Sequence, residues 1–92
     1  MIVRILGEGQ LAVDDSVVPE LNQLDAALEA AVNAGDEAAF RPALSALLAR
    51  IRAVGTPVPA DSLNTSDVIL PYADASMADV RSLLSDEPLI PG

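Results

Sequence analysis

From Val17 to Val54 the apolar residues of this chain recur at alternating steps of four and three, twice over, with a Gly-Asp pair between the two runs. The first run is Val17, Leu21, Leu24, Leu28 and Ala31, widened by Val18 and Val32; the second is Phe40, Leu44, Leu47, Ile51 and Val54. Such spacing puts each set on one stripe of an α-helix. Ser16 is placed to cap the first helix, and Pro19 falls in its first turn, where a missing N–H costs nothing. Gly35 suits a left-handed stop and Asp36 a new cap. The spacing therefore predicts helices over 17–34 and from 36 to 54, packed as an antiparallel hairpin with arms roughly 25 Å long at about 1.5 Å per residue. Pro42 is the anomaly: either the second helix starts nearer Ala39 or it bends at the proline. Arg50 and Arg52 fall in its last turn, where cations offset the negative helix end.

Ahead of the helices stands MIVRILGEGQLAV. A Gly-Glu-Gly triplet after an apolar run suits either a phosphate-cradling loop or a chain reversal. A phosphate loop wants a longer glycine-rich stretch, a helix beginning at its end and, usually, a lysine. Here Gln-Leu-Ala-Val continues as strand, so a β-hairpin is the better reading, with Gly7 and Gly9 as structural turn residues and Gly9 in the left-handed conformation. That turn sets Leu6 opposite Gln10, Ile5 opposite Leu11, Arg4 opposite Ala12 and Val3 opposite Val13. Val3, Ile5, Leu11 and Val13 then share one face.

After the helices, TPVPADSLNTSDVILPYADA reads as an ordered but irregular proline-rich crossover, within which Val68, Ile69 and Leu70 suit a short third strand beside the hairpin. Ser76 and Asp79 resemble a capping box for a short C-terminal helix with Met77, Val80, Leu83 and Leu84 on one face. Leu89 and Ile90, held between two prolines, are extended. The expected fold is α+β: an N-terminal β-hairpin packed on an antiparallel helical hairpin, then the crossover and the third helix, in one domain spanning 1–92.

Composition narrows the chemistry. The formal charge is −9, from 14 acids against five arginines and no lysine, which repels nucleic acid and anionic lipid alike. With Phe40 and Tyr72 as the only aromatic residues, no platform for stacking bases exists. No apolar run approaches the roughly 20 residues of a membrane span, and no signal peptide is visible, so the expected location is cytoplasmic. Cysteine and histidine are absent. With them go disulfides, thiolate nucleophiles, the usual zinc ligands and the side chain best suited to proton transfer near neutral pH, so neither catalysis nor a cofactor is expected.

Several groupings have both a plain and a functional reading. The acid pairs Asp14–Asp15 and Asp36–Glu37 could hold a divalent cation, but each begins a helix, where acids are favoured by the dipole alone. Ser16, Ser62, Ser66 and Ser76 have no histidine or lysine to activate them. The helical stripes suit a core better than a partner-binding coiled coil, while Val18 and Leu48, beside their seams, are candidates for an exposed flank that a partner covers. Leu89 and Ile90 suit packing on the domain's own body before a docking role. Asp61, Asp67, Asp74 and Asp79 make the one acidic set from which an alternative metal- or ligand-binding function could be built.

With these residues in view, the chain resembles the PspA-associated family PspAA along its whole length. The resemblance is carried by MIVRILGEGQ, LNQLDAALEAAVNAGDEAAF, SDVILP, DASMADVRSLL and LIPG. It implies a noncatalytic adaptor of PspA, a coiled-coil protein of the phage-shock response to envelope stress, and hence a place at the membrane through that partner. It leaves self-association open.

Overall fold

The computed structural model describes residues 1–59 and 65–84. The fold is α+β, a four-stranded sheet with three α-helices. In chain order these are β1 (Ile2–Ile5), β2 (Gly9–Ala12), a 3-10 turn (Asp15–Val17), α1 (Val18–Ala34), α2 (Glu37–Val54), β3 (Thr56–Pro57), β4 (Val68–Leu70) and α3 (Met77–Leu84). The sheet order is β3-β2-β1-β4, antiparallel throughout except for the parallel pair β1–β4.

The hairpin forms, but its register is two residues away from the expected one. Val3 faces Leu11, Arg4 faces Gln10 and Ile5 faces Gly9. The turn is Leu6-Gly7-Glu8, closed by Glu8 N–H donating to the Ile5 carbonyl at 2.9 Å, with Gly7 at φ +85° in the position that demands a left-handed residue. Gly9, at φ +104°, is also on the glycine side of φ. Because a shift of two conserves parity, Val3, Ile5, Leu11 and Val13 still lie on one face. Val3, Ile5 and Val13 are buried there beside Val68 and Leu70 of β4. The short strand β4 forms where it was expected. β3 lies in what reads as irregular crossover, and its Pro57, which has no N–H to donate, fits only because β3 is a sheet edge.

The helical hairpin closes as the spacing predicts, with Gly35 left-handed at φ 68° and Asp36 accepting from the Ala39 N–H at 3.1 Å. The start of α1 differs. Asp14, not Ser16, is the capping side chain: it accepts from Ser16 N–H at 2.8 Å and begins the 3-10 turn that leads into α1. α2 begins at Glu37 and runs through Pro42, which is exposed, so the Ala38 carbonyl that loses its helical donor lies on the side away from the core. α3 opens with the reciprocal capping box, Asp79 N–H to Ser76 Oγ and Ser76 N–H to Asp79 Oδ2, each 3.1 Å.

One cluster of buried residues joins the inner face of the sheet to both long helices and to Val80 of α3. Leu48 belongs to it, 1% exposed, which corrects its placement on an exposed flank. The reason is geometric: α2 buries Phe40, Leu44, Leu47, Leu48 and Ile51, an arc broad enough to serve both its partner helix and the sheet rather than one seam. On α1, Leu24 is only partly buried while Asp25, between Leu21 and Leu28 on the buried face, is 2% exposed.

Candidate functional site

Most charged side chains with partners bind the domain's own elements together. Glu8, at the tip of the hairpin turn, receives Arg52 Nε at 2.7 Å and Nη2 at 2.5 Å, a two-pronged clasp between the turn and the end of α2. Arg50 Nε reaches Glu20 of α1 at 2.6 Å. The two arginines expected to serve the helix dipole therefore tie α2 to other elements. Arg41 donates to the carbonyls of Ala73 and Ala75 at 3.1 and 2.9 Å, and its guanidinium lies 4.9 Å from the centroid of the Phe40 ring. Arg81 donates to the Val32 carbonyl near the end of α1 at 3.0 Å. Four of the five arginines thus hold the fold, and the hydrophobic pattern carries no trace of these long-range contacts.

The hydrogen bonds from Arg52, aided by its charge and opposed by slight burial, hold the Glu8 carboxyl below its usual range. A carboxyl lowered in the folded state stabilises that state above its unfolded pKa, about 4.3, and the contribution disappears as pH falls through the folded value. Both partners are substantially exposed, so solvent screening limits the effect. Glu8→Gln is expected to lower stability at neutral pH by about 0.2–1 kcal/mol. In urea melts the difference from wild type should shrink in acid; a constant difference would exclude the ion pair as its cause.

Several of the candidate acids and serines are engaged in the same way, while Asp74 is exposed. Asp14 caps the 3-10 turn, and the hydrogen bond from the Ser16 backbone N–H holds its carboxyl below the usual range. Asp67 Oδ2 accepts from the Ile2 N–H at 2.8 Å, Ser66 Oγ accepts from Gln10 Nε2 at 2.7 Å, and Ser76 and Asp79 cap one another's N–H groups. No group of three acidic side chains that could share a metal ion occurs among the described residues. Asp61, Ser62, Leu89 and Ile90 lie outside the described residues. Val18 is half-buried and packs against the core.

One concave feature among the described residues is an open cleft of about 310 Å³ between the hairpin turn and α3. Its walls are Leu6 of the turn, Pro71 and Tyr72 after β4, and Asp79, Ser82 and Leu83 of α3. The Tyr72 ring passes directly over Gly7: a Cβ there would lie 2.8 Å from Tyr72 Cε1. Arg41, through the carbonyls of Ala73 and Ala75, holds the segment that follows Tyr72 against α2. Of these cleft residues the sequence singled out only Asp79, as one of the acidic set, because Leu6 and Leu83 read as ordinary members of apolar patterns and Tyr72 follows a proline in a turn-rich stretch.

Such a molecule is a small α+β domain with a cross-tied interior and an open apolar cleft. A family model described as PspA-Associated protein, PspAA, matches residues 1–92, and the chain belongs to that family. No match was found among curated proteins or among solved structures. No helix among the described residues is long and apolar enough to cross a membrane.

Proposed function

We propose that this protein is a noncatalytic adaptor of PspA, acting by protein–protein contact in the cytoplasm during the envelope stress response and reaching the membrane only through that partner. The observation that carries this reading is the family match over 1–92. The chemistry is consistent with it. A chain without histidine, cysteine or lysine lacks the side chains that most often activate a serine or act as nucleophile themselves, and its hydroxyls at Ser66 and Ser76 are committed to structural hydrogen bonds. The charge of −9 favours approach to a basic stretch of a coiled-coil partner over approach to anionic lipid.

Titrating purified PspA into the protein and reading the heat of binding tests the proposal. Saturable binding that weakens as salt is added is the expected result, since exposed charges are screened within about 10 Å at 0.1 M salt. Absence of binding at low salt would overturn the adaptor reading.

A further inference from the structure

Three large apolar side chains remain exposed among the described residues, and two of them, Tyr72 at 53% and Leu83 at 40%, line the same cleft. Half-buried Leu6 and buried Pro71 and Ala75 complete its apolar lining. The one charged residue there, Asp79, accepts from the Ser76 N–H at 3.1 Å, and Ser82 Oγ donates to the Ala78 carbonyl at 3.2 Å. What the lining lacks is apolar cover. The wall contributed by α3 runs from Asp79 to Leu83, about 6 Å at 1.5 Å per residue, and α3 ends one residue later, at Leu84. The chain therefore leaves the helix at the rim of the cleft. Ser85, Asp86, Glu87 and Pro88 follow, then Leu89, Ile90, Pro91 and Gly92. Leu89 stands five residues beyond the helix end, a reach of roughly 17 Å at full extension, long enough to reverse and return along that wall.

We propose that the cleft is the seat of the chain's own segment after α3, which turns back and sets Leu89 and Ile90 against Tyr72, Leu83 and Leu6. The inference is independent of the adaptor reading. The cleft volume stands at the small end of the range of about 300–1,000 Å³ typical of ligand pockets, which suits one or two inserted side chains. Ser85, Asp86 and Pro88 supply the turn chemistry that a reversal needs. From Pro88 to Pro91 only Leu89 and Ile90 carry a backbone N–H, so apolar surroundings strip few donors of water. Ser82 Oγ, whose proton goes to Ala78, keeps lone pairs with which to accept from one of them. The flanking prolines already hold the pair extended, so docking costs less conformational entropy than for a free chain. Tethering selects this occupant over others of similar shape. A segment on a short linker meets its site at an effective concentration on the order of millimolar, whereas a separate molecule must compete from solution.

Tyr72 makes the contact directly observable, because it is the one tyrosine in a chain without tryptophan. In the full chain, nuclear Overhauser contacts are expected between the Tyr72 ring and the methyl groups of Leu89 or Ile90, unchanged on dilution. Joint Leu89→Ser and Ile90→Ser substitution should raise the quenching of Tyr72 fluorescence by acrylamide while the domain stays folded by circular dichroism. A synthetic peptide of residues 85–92 added to that variant should restore the protection saturably, and should do nothing to the wild-type chain, whose cleft is filled. Leu83→Ala should raise quenching by itself, and adding the two serine substitutions to it should change little, since both remove one contact. Absence of the Overhauser contacts overturns the proposal, as does equal quenching of wild type and the double serine variant. So do contacts that appear only between labelled and unlabelled chains in a mixed sample, which would give the cleft to a second copy. Full additivity of the Leu83 and serine substitutions would overturn it too, by placing Leu89 and Ile90 somewhere other than the cleft.

Discussion

Leu48→Glu is expected to leave the domain largely unfolded in water. Leu48 is 1% exposed within a core shared by the sheet and both long helices, so a carboxylate in its place would be set among apolar side chains. Emptying such a site to alanine costs about 2–5 kcal/mol. Glutamate adds the cost of burying a charge or of protonating it to avoid that burial. Against a total stability of roughly 5–15 kcal/mol for a native domain, and the lower part of that range for one so small, little remains. Circular dichroism should show loss of helix for Leu48→Glu, while Leu48→Ala stays folded with a lower urea midpoint. A folded Leu48→Glu with native melting behaviour would mean that the face of α2 bearing Leu48 is open.

Gly7→Val is the second substitution with a large expected effect, about 1–3 kcal/mol from the backbone alone, since valine strongly resists φ +85°. A further penalty comes from Tyr72, whose ring atoms lie 2.8 and 2.9 Å from the new Cβ and must move. Gly9→Val makes an instructive comparison: its φ of +104° imposes similar strain, but nothing lies within 4 Å of its Cβ. Both variants should melt at lower temperature, and Gly7→Val alone should shift Tyr72 fluorescence. If Gly7→Val melts like wild type, the turn assigned to Leu6-Gly7-Glu8 is incorrect.

The elements whose signal is local were legible in the sequence. Stripe spacing located α1 and α2, Gly35-Asp36 located their reversal, and Ser76 with Asp79 located the start of α3. Parity protected the assignment of strand faces even though the hairpin register was off by two residues. What escaped is non-local or too short to be periodic. β3 is two residues long and includes a proline, so no alternation announces it. Leu48 and the buried Asp25 depend on how much of each helix the rest of the fold covers, which a single-seam pattern does not encode. Glu8 stood out only as the residue between two glycines, and its role is set by Arg52, 44 positions away. The cleft combines residues from three separate parts of the chain, and apart from Asp79 none of them stands out in its own stretch.

The parallel pairing of β1 with β4 joins segments 65 positions apart, with the whole helical hairpin in between. Closing so long a loop carries an entropic cost that contacts made within the helical hairpin largely avoid, since α1 and α2 are neighbours in sequence. The helices can therefore assemble before the sheet is complete, but Leu6 and Tyr72 are brought together only when β4 takes its place. A segment that grips both sides of that junction would act as a latch on the final step of assembly, and its grip would report whether the chain had finished folding.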